Sequence, residues 1–558
     1  MPKRSKYAST DDAPDSELNL LAWLATCASV IAFLFYFRNG QVMLYGDAIA
    51  HINIARRVFD SRTPGLLQLG TVWLPLPHLV MIPFIVSQRM WQQGVGGSIP
   101  SMAGYVFGVI GIFRFTRGVL SRSAEPDGPA RVAAWIAALI YAANPNLLYM
   151  QSTAMGESLY LAFFIWSVVY FSEWQRADAK ALTKSGLCLI AACLTRYDGW
   201  FLAATMAAIV VLQAFFPGSA DKDKSRIRVG AMKFVLLAAF APVLWFVYNA
   251  IIYRNPLEFE NGPYSAKAIE QRTQNGGTPG HPGSRNPILA GMYFVKSAEA
   301  NMAQPEWLQR TWILLSMMSL AVAIFTFLRR DHNASAIAHR MWLPFTLLLI
   351  PLPFYALSVA YGGVPIFIPY WWPFTHYNVR YGLQLLPAFA AASAVLVNFI
   401  LRIDRFQYRV RLAAMLAVLA IAIAGYATVW QATPICLEEA RVNMRTRNQL
   451  QTQLSIWIAK LPTDCTLLMY LGDQVGAVER AGFPLKQTIN EGNHRVWKQP
   501  VDTQGLWEQA LADPRKYADY VIAFEGDPVW QAVHDLHLHE LVEIHVTGQA
   551  RGILYKTR

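Results

Sequence analysis

Charge is scarce in this chain. Only 15% of its 558 residues are Asp, Glu, Lys or Arg, against about 25% in soluble proteins. Apolar residues reach 54% and mean hydropathy is +0.27. Disordered segments are poor in apolar residues and rich in charge, so disorder is excluded. Five cysteines are too few for a disulfide scaffold, and no Gly-X-Y period marks a collagen. Internal repeats and low-complexity tracts are missing. So are a P-loop, a Rossmann fingerprint, Gly-x-Ser-x-Gly and His-Glu-x-x-His. No basic run alternates with aromatics on one surface, so the formal charge of +12 is not a nucleic-acid patch.

What is there is a series of long apolar runs. Leu18–Phe37 is 20 residues long, enough to span a bilayer. No small-residue cleavage site follows it, so it reads as an uncleaved signal anchor. Further runs lie at about 98–117, 132–149, 158–173, 185–197, 199–215, 231–252, 308–328, 341–360, 380–401 and 411–430, eleven in all. Trp73–Trp91 is apolar but interrupted by Pro75, Pro77, His78 and Pro83. Counting it as a span would invert every later loop, so it reads as interfacial or re-entrant.

The charges set a sidedness. From Gln431 onward there are 13 Lys/Arg against 15 Asp/Glu, which leaves 35 basic and 21 acidic residues in the preceding part. The excess sits in short loops: Arg114/Arg117/Arg122/Arg131, Arg176/Lys180/Lys184, Lys222/Lys224/Arg226/Arg228, Arg329/Arg330/Arg340 and Arg402/Arg405/Arg409. By the positive-inside rule these belong in the cytoplasm, together with a tail at 1–17. Loops 38–97, 150–157, 253–307 and 361–379 belong outside, and so does 431–558. The expected protein is an α-helical polytopic protein of the plasma (inner) membrane. Its transmembrane domain is 18–430, and a small extracytoplasmic α/β domain follows at 431–558. In that domain Asn443–Lys460 has helical periodicity, and Thr466–Tyr470 and Tyr520–Phe524 read as strands. Leu541–Val546 and Gly552–Tyr555 read as a closing hairpin. Cys27, Cys188 and Cys193 lie in apolar runs, whereas Cys436 and Cys465 could pair if the tail is extracytoplasmic.

Candidate chemistry lies in the outer loops. Asp47 follows the first span closely. If 48–59 is helical, Asp47 is its N-cap or in its first turn, with His51 and Ala55 on its side and Ile49, Ile52 and Phe59 facing the bilayer. An acid fixed at the membrane surface is where a base for a lipid-linked substrate would stand. A simple helix cap on an amphipathic interfacial helix uses the same residues. Arg56 lies in the same stretch. Glu157 is the only charge in Tyr149–Ser158, and could equally complement a helix dipole. Arg196 and Asp198 sit between two apolar runs with almost no loop. Arg196 suits a phosphate, or the two close a turn as an ion pair. In Pro369–Tyr381, Tyr370, Trp372, His376, Arg380 and Tyr381 stand at the mouth of a span. An aromatic belt explains the rings but not Arg380. His534, His537, His539 and His545 match no zinc spacing, so no metal ligands are assigned.

The pattern resembles the GT-C glycosyltransferases: the protein O-mannosyltransferases of the family 39 type, the lipid A aminoarabinose transferases and the oligosaccharyltransferase catalytic subunits. Four features carry the resemblance: Asp47 in the first outer loop, Glu157 in the second, Arg380-Tyr-Gly-Leu-Gln-Leu-Leu-Pro387 opening a late span, and the outer C-terminal domain. Departures are also present. Asp47 stands alone where the family often has Asp-Glu or Asp-x-Asp, and Trp371-Trp372 is followed by Pro rather than Asp, which argues against Asn glycosylation.

The resemblance implies sugar transfer from a polyprenyl-phosphate donor to a lipid, glycan or protein acceptor at the outer face, by inverting displacement. Asp47 would be the base, Arg380 and Arg196 would hold the phosphate, and His376 would orient it or donate a hydrogen bond. Glu157 would position the acceptor or a divalent cation, the one cofactor the resemblance leaves open. Tyr370–Trp372 would stack on sugar, and His51, Arg56, Asp198 and Tyr381 would be further substrate contacts. Two enzyme-free readings compete: a transporter or lipid-linked-sugar flippase, which should show mid-membrane charges and an inverted repeat, and a scaffold. An O-antigen-ligase-like or polymerase-like transferase using a diphosphate-linked oligosaccharide is the second enzyme reading.

Overall fold

The computed structural model describes residues 15–121, 127–176, 178, 180–215, 224–276, 279–328, 343–403, 407–493 and 504–557. Tail residues 1–14 and much of the predicted basic loops, including Arg122, Lys222, Arg329, Arg330, Arg340 and Arg405, lie outside the described residues. Among the described residues eight helices are long and apolar enough to cross a membrane, and all eight coincide with expected spans. The chain is an integral membrane protein. The other three expected spans are helices Gly128–Ala142, Glu157–Gln175 and Ala181–Cys193. The last has 13 residues and rises about 20 Å, short of a hydrocarbon core of about 30 Å. Trp73–Trp91 folds as a 10-residue helix, Leu76–Ile85 with Pro83 inside it, followed by Gln88–Gln92.

Glycine lets the helices meet. A Cβ on Gly104 of helix Val95–Leu120 would stand 2.7 Å from Leu159 Cα. Only a hydrogen there allows Glu157–Gln175 to pack backbone to backbone, as small residues do between membrane helices.

The two ends of the bundle differ in chemistry. At one end Arg117 binds Asp15 and Glu17, Arg131 binds Glu17 at 3.0 Å, and Arg402 binds Asp127 at 2.7 Å. This gathers the described parts of several predicted cytoplasmic loops. At the other end the predicted outer loops meet the C-terminal domain.

The first helix of that domain begins earlier than its periodicity suggests. Helix Tyr408–Ala432 breaks at Thr433, whose φ is +83°, and Pro434 starts a new helix, Ile435–Ile458. Five strands follow: β1 (Leu467–Met469), β2 (Thr488–Ile489), β3 (Tyr520–Phe524), β4 (His539–Ile544) and β5 (Gly552–Lys556). Their order is β2-β1-β3-β5-β4. β1 is parallel to β2 and β3, while β5 is antiparallel to β3 and β4. The expected strands and closing hairpin are present, and β2 is the addition. One sheet face, with Leu467, Met469 and Ile522, joins the same apolar core as the membrane helices. The domain is therefore seated on the bundle rather than tethered to it. Cys436 and Cys465 are buried and free, so no disulfide joins them; Cys436 Sγ instead donates to Asn301 Oδ1 at 3.4 Å.

Helix Gly46–Arg57 lies in this seat. Ile49 and Ile52 are buried, which corrects the expectation that they face the bilayer. The C-terminal domain covers the other side of the helix, and of the three apolar residues only Phe59, just beyond the helix, stays exposed. Asn53 donates to Glu479 Oε2 at 2.6 Å, inside the domain interface. Burial raises the Glu479 carboxyl to about 8, against an ordinary 4.5, with the Asn53 hydrogen bond opposing it. The folded protein then holds a proton that the unfolded chain releases. Stability from this contact is complete below about 4.5 and falls as pH rises to about 8. Glu479→Gln keeps an acceptor for Asn53 and removes the charge. Its melting temperature should exceed wild type above pH 8, and the wild-type slope between those limits should flatten. Parallel melting curves across that range would count against a protonated Glu479.

Candidate active site

Arg380 is the centre of the site. It lies in Val379–Leu385, a 3-10 turn leading into helix Leu386–Leu401. Gly382 fixes the turn in place: a Cβ there would stand 2.4 Å from the Ser297 backbone. Asn301 Nδ2 donates to the Val379 carbonyl at 2.9 Å. The turn's free N–H groups attract an anion, and Glu439 supplies it, accepting from Val379 N at 2.7 Å and Asn378 N at 3.0 Å.

All three guanidinium nitrogens of Arg380 donate to carboxylates. Nη2 reaches Asp47 at 2.6 Å, Nε reaches Glu157 at 3.1 Å and Nη1 reaches Glu439 at 3.0 Å. Glu157 Oε1 also accepts from Arg196 at 3.2 Å. Arg196 donates to Tyr355 Oη at 2.8 Å and pairs with Asp198 at 3.4 Å, and Tyr355 Oη donates to Asp198 at 3.1 Å. Tyr381 joins the two cations, its ring centre 5.1 Å from the Arg380 guanidinium and 4.9 Å from that of Arg196. Tyr45 lies 5.2 Å from Arg380 on another side.

Six of the residues singled out from sequence therefore meet in one network: Asp47, Glu157, Arg196, Asp198, Arg380 and Tyr381. They come from four separate stretches of chain, and Glu439 adds a fifth. Two guanidinium groups face four carboxylates, counting Glu439. The Asp47 side chain is 38% exposed, against 1–2% for Glu157, Asp198 and Glu439. Asp47 is the acid that a substrate can reach. It lies in the first turn of its helix, whose N-cap is Tyr45. Glu157 Oε2 is buried with no partner among the described residues.

The other candidates make no contact within this network. Arg56 points away from the network. It binds Asp60 at 2.8 Å, the Ile85 carbonyl at 2.6 Å and Gln88 at 2.8 Å, and its guanidinium packs over Trp91. That is a structural clamp, not an open substrate contact. His376 is half-buried and its carbonyl accepts from Asn443 at 3.0 Å; burial lowers its imidazole pKa. Tyr370 and Trp372 are exposed on the same loop. His51 is buried against Trp73 and His78. Desolvation lowers its pKa to about 4, opposed by the charges of Asp47 and Glu157, so the ring is neutral at physiological pH. Among the described residues no group of three His, Cys, Asp or Glu is placed to hold a metal ion. The carboxylates that might have done so converge on guanidinium groups, which would repel a cation. His534, His537, His539 and His545 make no such group among the described residues; His534 stacks on Trp530 at 4.4 Å.

Sequence reading missed Glu439, Tyr45, Tyr355 and His78. Glu439 carried one faint signal, as an acid just after an apolar span and beyond a proline.

The bundle, the acid and arginine cluster at its domain-bearing end and the seated α/β domain together define a GT-C-type membrane fold. The chain is similar over nearly its whole length to ArnT from Cupriavidus metallidurans, whose structure was solved bound to undecaprenyl phosphate. That match covers 98% of this chain and 99% of the other, with 12% identity and a TM-score of 0.54. The oligosaccharyltransferase AglB from Archaeoglobus fulgidus, solved with an inhibitory peptide and a dolichol-phosphate, aligns over 96% of this chain and 74% of its own, with 12% identity and a TM-score of 0.47. No family model matches the sequence, and no curated protein does.

Proposed function

We propose that this protein transfers a sugar from a polyprenyl-phosphate donor to an acceptor at the membrane face that carries the C-terminal domain. We take that face, at 431–558, as extracytoplasmic and the arginine-rich end as cytoplasmic, following the charge asymmetry of the loops. The observation that carries the reading is the meeting of Asp47, Glu157, Arg196 and Arg380 at that face, in a fold shared with a structure that holds undecaprenyl phosphate.

The reaction is a direct displacement. An acceptor oxygen or nitrogen forms a bond to the anomeric carbon while the bond from that carbon to the lipid phosphate oxygen breaks. The electron pair leaves with polyprenyl phosphate, and Asp47 takes the acceptor's proton. The anomeric configuration inverts. Arg196 keeps 19% of its side chain exposed, against 8% for Arg380. Arg196 is thus the more open phosphate contact, and Arg380 is the organiser that holds Asp47 in place. Stabilising the leaving phosphate this way is the largest contribution expected of such a site. Glu157 bridges the two arginines and sets their separation. The exposed rings of Tyr370 and Trp372 offer aromatic faces of the kind that stack on a sugar.

The test is direct. Purified protein in lipid receives polyprenyl-phosphate hexose or pentose with lipid, glycan and peptide acceptors, and free polyprenyl phosphate is measured. Acceptor-dependent release supports transfer. Donor movement across the bilayer with no release would replace this reading with a flippase.

A further inference from the structure

Next to the acid network lies a pair of buried imidazoles. His51 stands one helical turn after Asp47, and His78 is in the first turn of Leu76–Ile85. His51 Nδ1 and His78 Nε2 are 2.8 Å apart, so one proton lies between them. His78 is fully buried, and its Nδ1 has no partner among the described residues.

Two arrangements satisfy the 2.8 Å contact. If His51 Nδ1–H donates, neutral His78 must carry its own proton on Nδ1, an N–H sealed from any acceptor. If His78 Nε2–H donates, its Nδ1 is a bare lone pair and His51 must carry its proton on Nε2. A buried N–H without an acceptor is the orphan that folded proteins avoid most. Doubly protonated His78 has the same orphan, and burial first, then the neighbouring His51 ring and the charge of Arg57, act against it. The second arrangement is therefore selected.

The consequence falls on the site. His51 Nε2 makes no hydrogen bond to the described residues and, unlike His78 Nδ1, is not sealed from solvent. The charges that act on the ring are Asp47, Glu157, Arg380 and Arg196, so it borders the network. We propose that His51 is a neutral hydrogen-bond donor whose tautomer is set by His78, and that its Nε2–H binds a phosphate oxygen of the lipid donor. The phosphate part rests on the sugar-transfer reading above. His51 touches substrate, and His78 is a positioning residue acting through it.

The experiment has two arms, each using the full chain in lipid nanodiscs. In the first, 15N-histidine spectra, assigned with His51→Gln, report which ring nitrogen of His51 is protonated. Nε2–H in wild type, preserved in His78→Gln and mixed in His78→Leu, is the expected result. Nδ1–H in wild type overturns the proposal whatever the enzyme does. In the second arm, binding of polyprenyl phosphate is compared with binding of the matching polyprenol. Affinity for the phosphate should fall roughly tenfold in His51→Phe and in His78→Leu, with recovery in His78→Gln and no change for polyprenol. An equal loss for both lipids overturns the phosphate contact. Failure of wild type to bind polyprenyl phosphate at all sinks the transfer reading, while the tautomer arm still reports on the histidine pair.

Discussion

Asp47→Asn should lower release of polyprenyl phosphate by about 10²–10⁴-fold, the range that a positioned general base contributes. The substitution preserves shape. The amide oxygen still accepts from Arg380, whose bonds to Glu157 and Glu439 remain. The Asp47 side chain is 38% exposed, so losing its charge should change melting only slightly, as for other partly exposed ion pairs. What the amide cannot do is take a proton from the acceptor. The measurement is single-turnover release in variant and wild type, with donor binding as a check. Unchanged binding with lost turnover places Asp47 in the chemical step. A variant that turns over normally would remove Asp47 as the base and leave it as a tether for Arg380.

Arg380→Met should be the most damaging single change in the network. The arginine is 8% exposed and is the shared partner of three acids, two of them almost fully buried. Breaking a buried ion pair from one side typically costs about 3–5 kcal/mol, because the other charge is stranded. Glu157 retains Arg196, and Glu439 retains two backbone N–H groups, so the loss should stay within that range. Arg380→Lys keeps the charge but not the planar fork, and a single ammonium is poorly shaped to serve three carboxylates. It should recover part of the stability and little of the activity. Thermal melts of the three proteins give the comparison. An Arg380→Met protein that melts like wild type would mean that the acids are held by other groups, and Arg380 would then contribute only through substrate.

Much of the membrane architecture was legible because apolar length and loop charge are local properties. The eight long apolar helices coincide with runs visible in sequence, and the strands Tyr520–Phe524 and Leu467–Met469 stood out by composition. Asp47, Glu157, Arg196 and Arg380 were visible for a related reason: a charge at the mouth of an apolar run is expensive and therefore informative. The mistaken faces of Gly46–Arg57 show the limit of that logic. Periodicity identified an apolar side, but nothing local says that helix Val95–Leu120 rather than lipid will cover it.

The sequence alone determined that this is a polytopic membrane protein with a polar α/β tail, which loops carry excess positive charge, and which charged residues stand at span ends. Those follow from the burial preferences of short segments, which need no knowledge of neighbours. Only the tertiary structure decided who meets whom. Arg380 and Asp47 are 333 positions apart and Asn53 and Glu479 are 426 apart. Arg56 and Arg196 look alike as arginines near a membrane, yet one is spent on Asp60 and main-chain carbonyls and the other borders the open network. Partner choice over such separations depends on how the helices pack and where the C-terminal domain is seated. That is a property of the whole core, and no single segment encodes it.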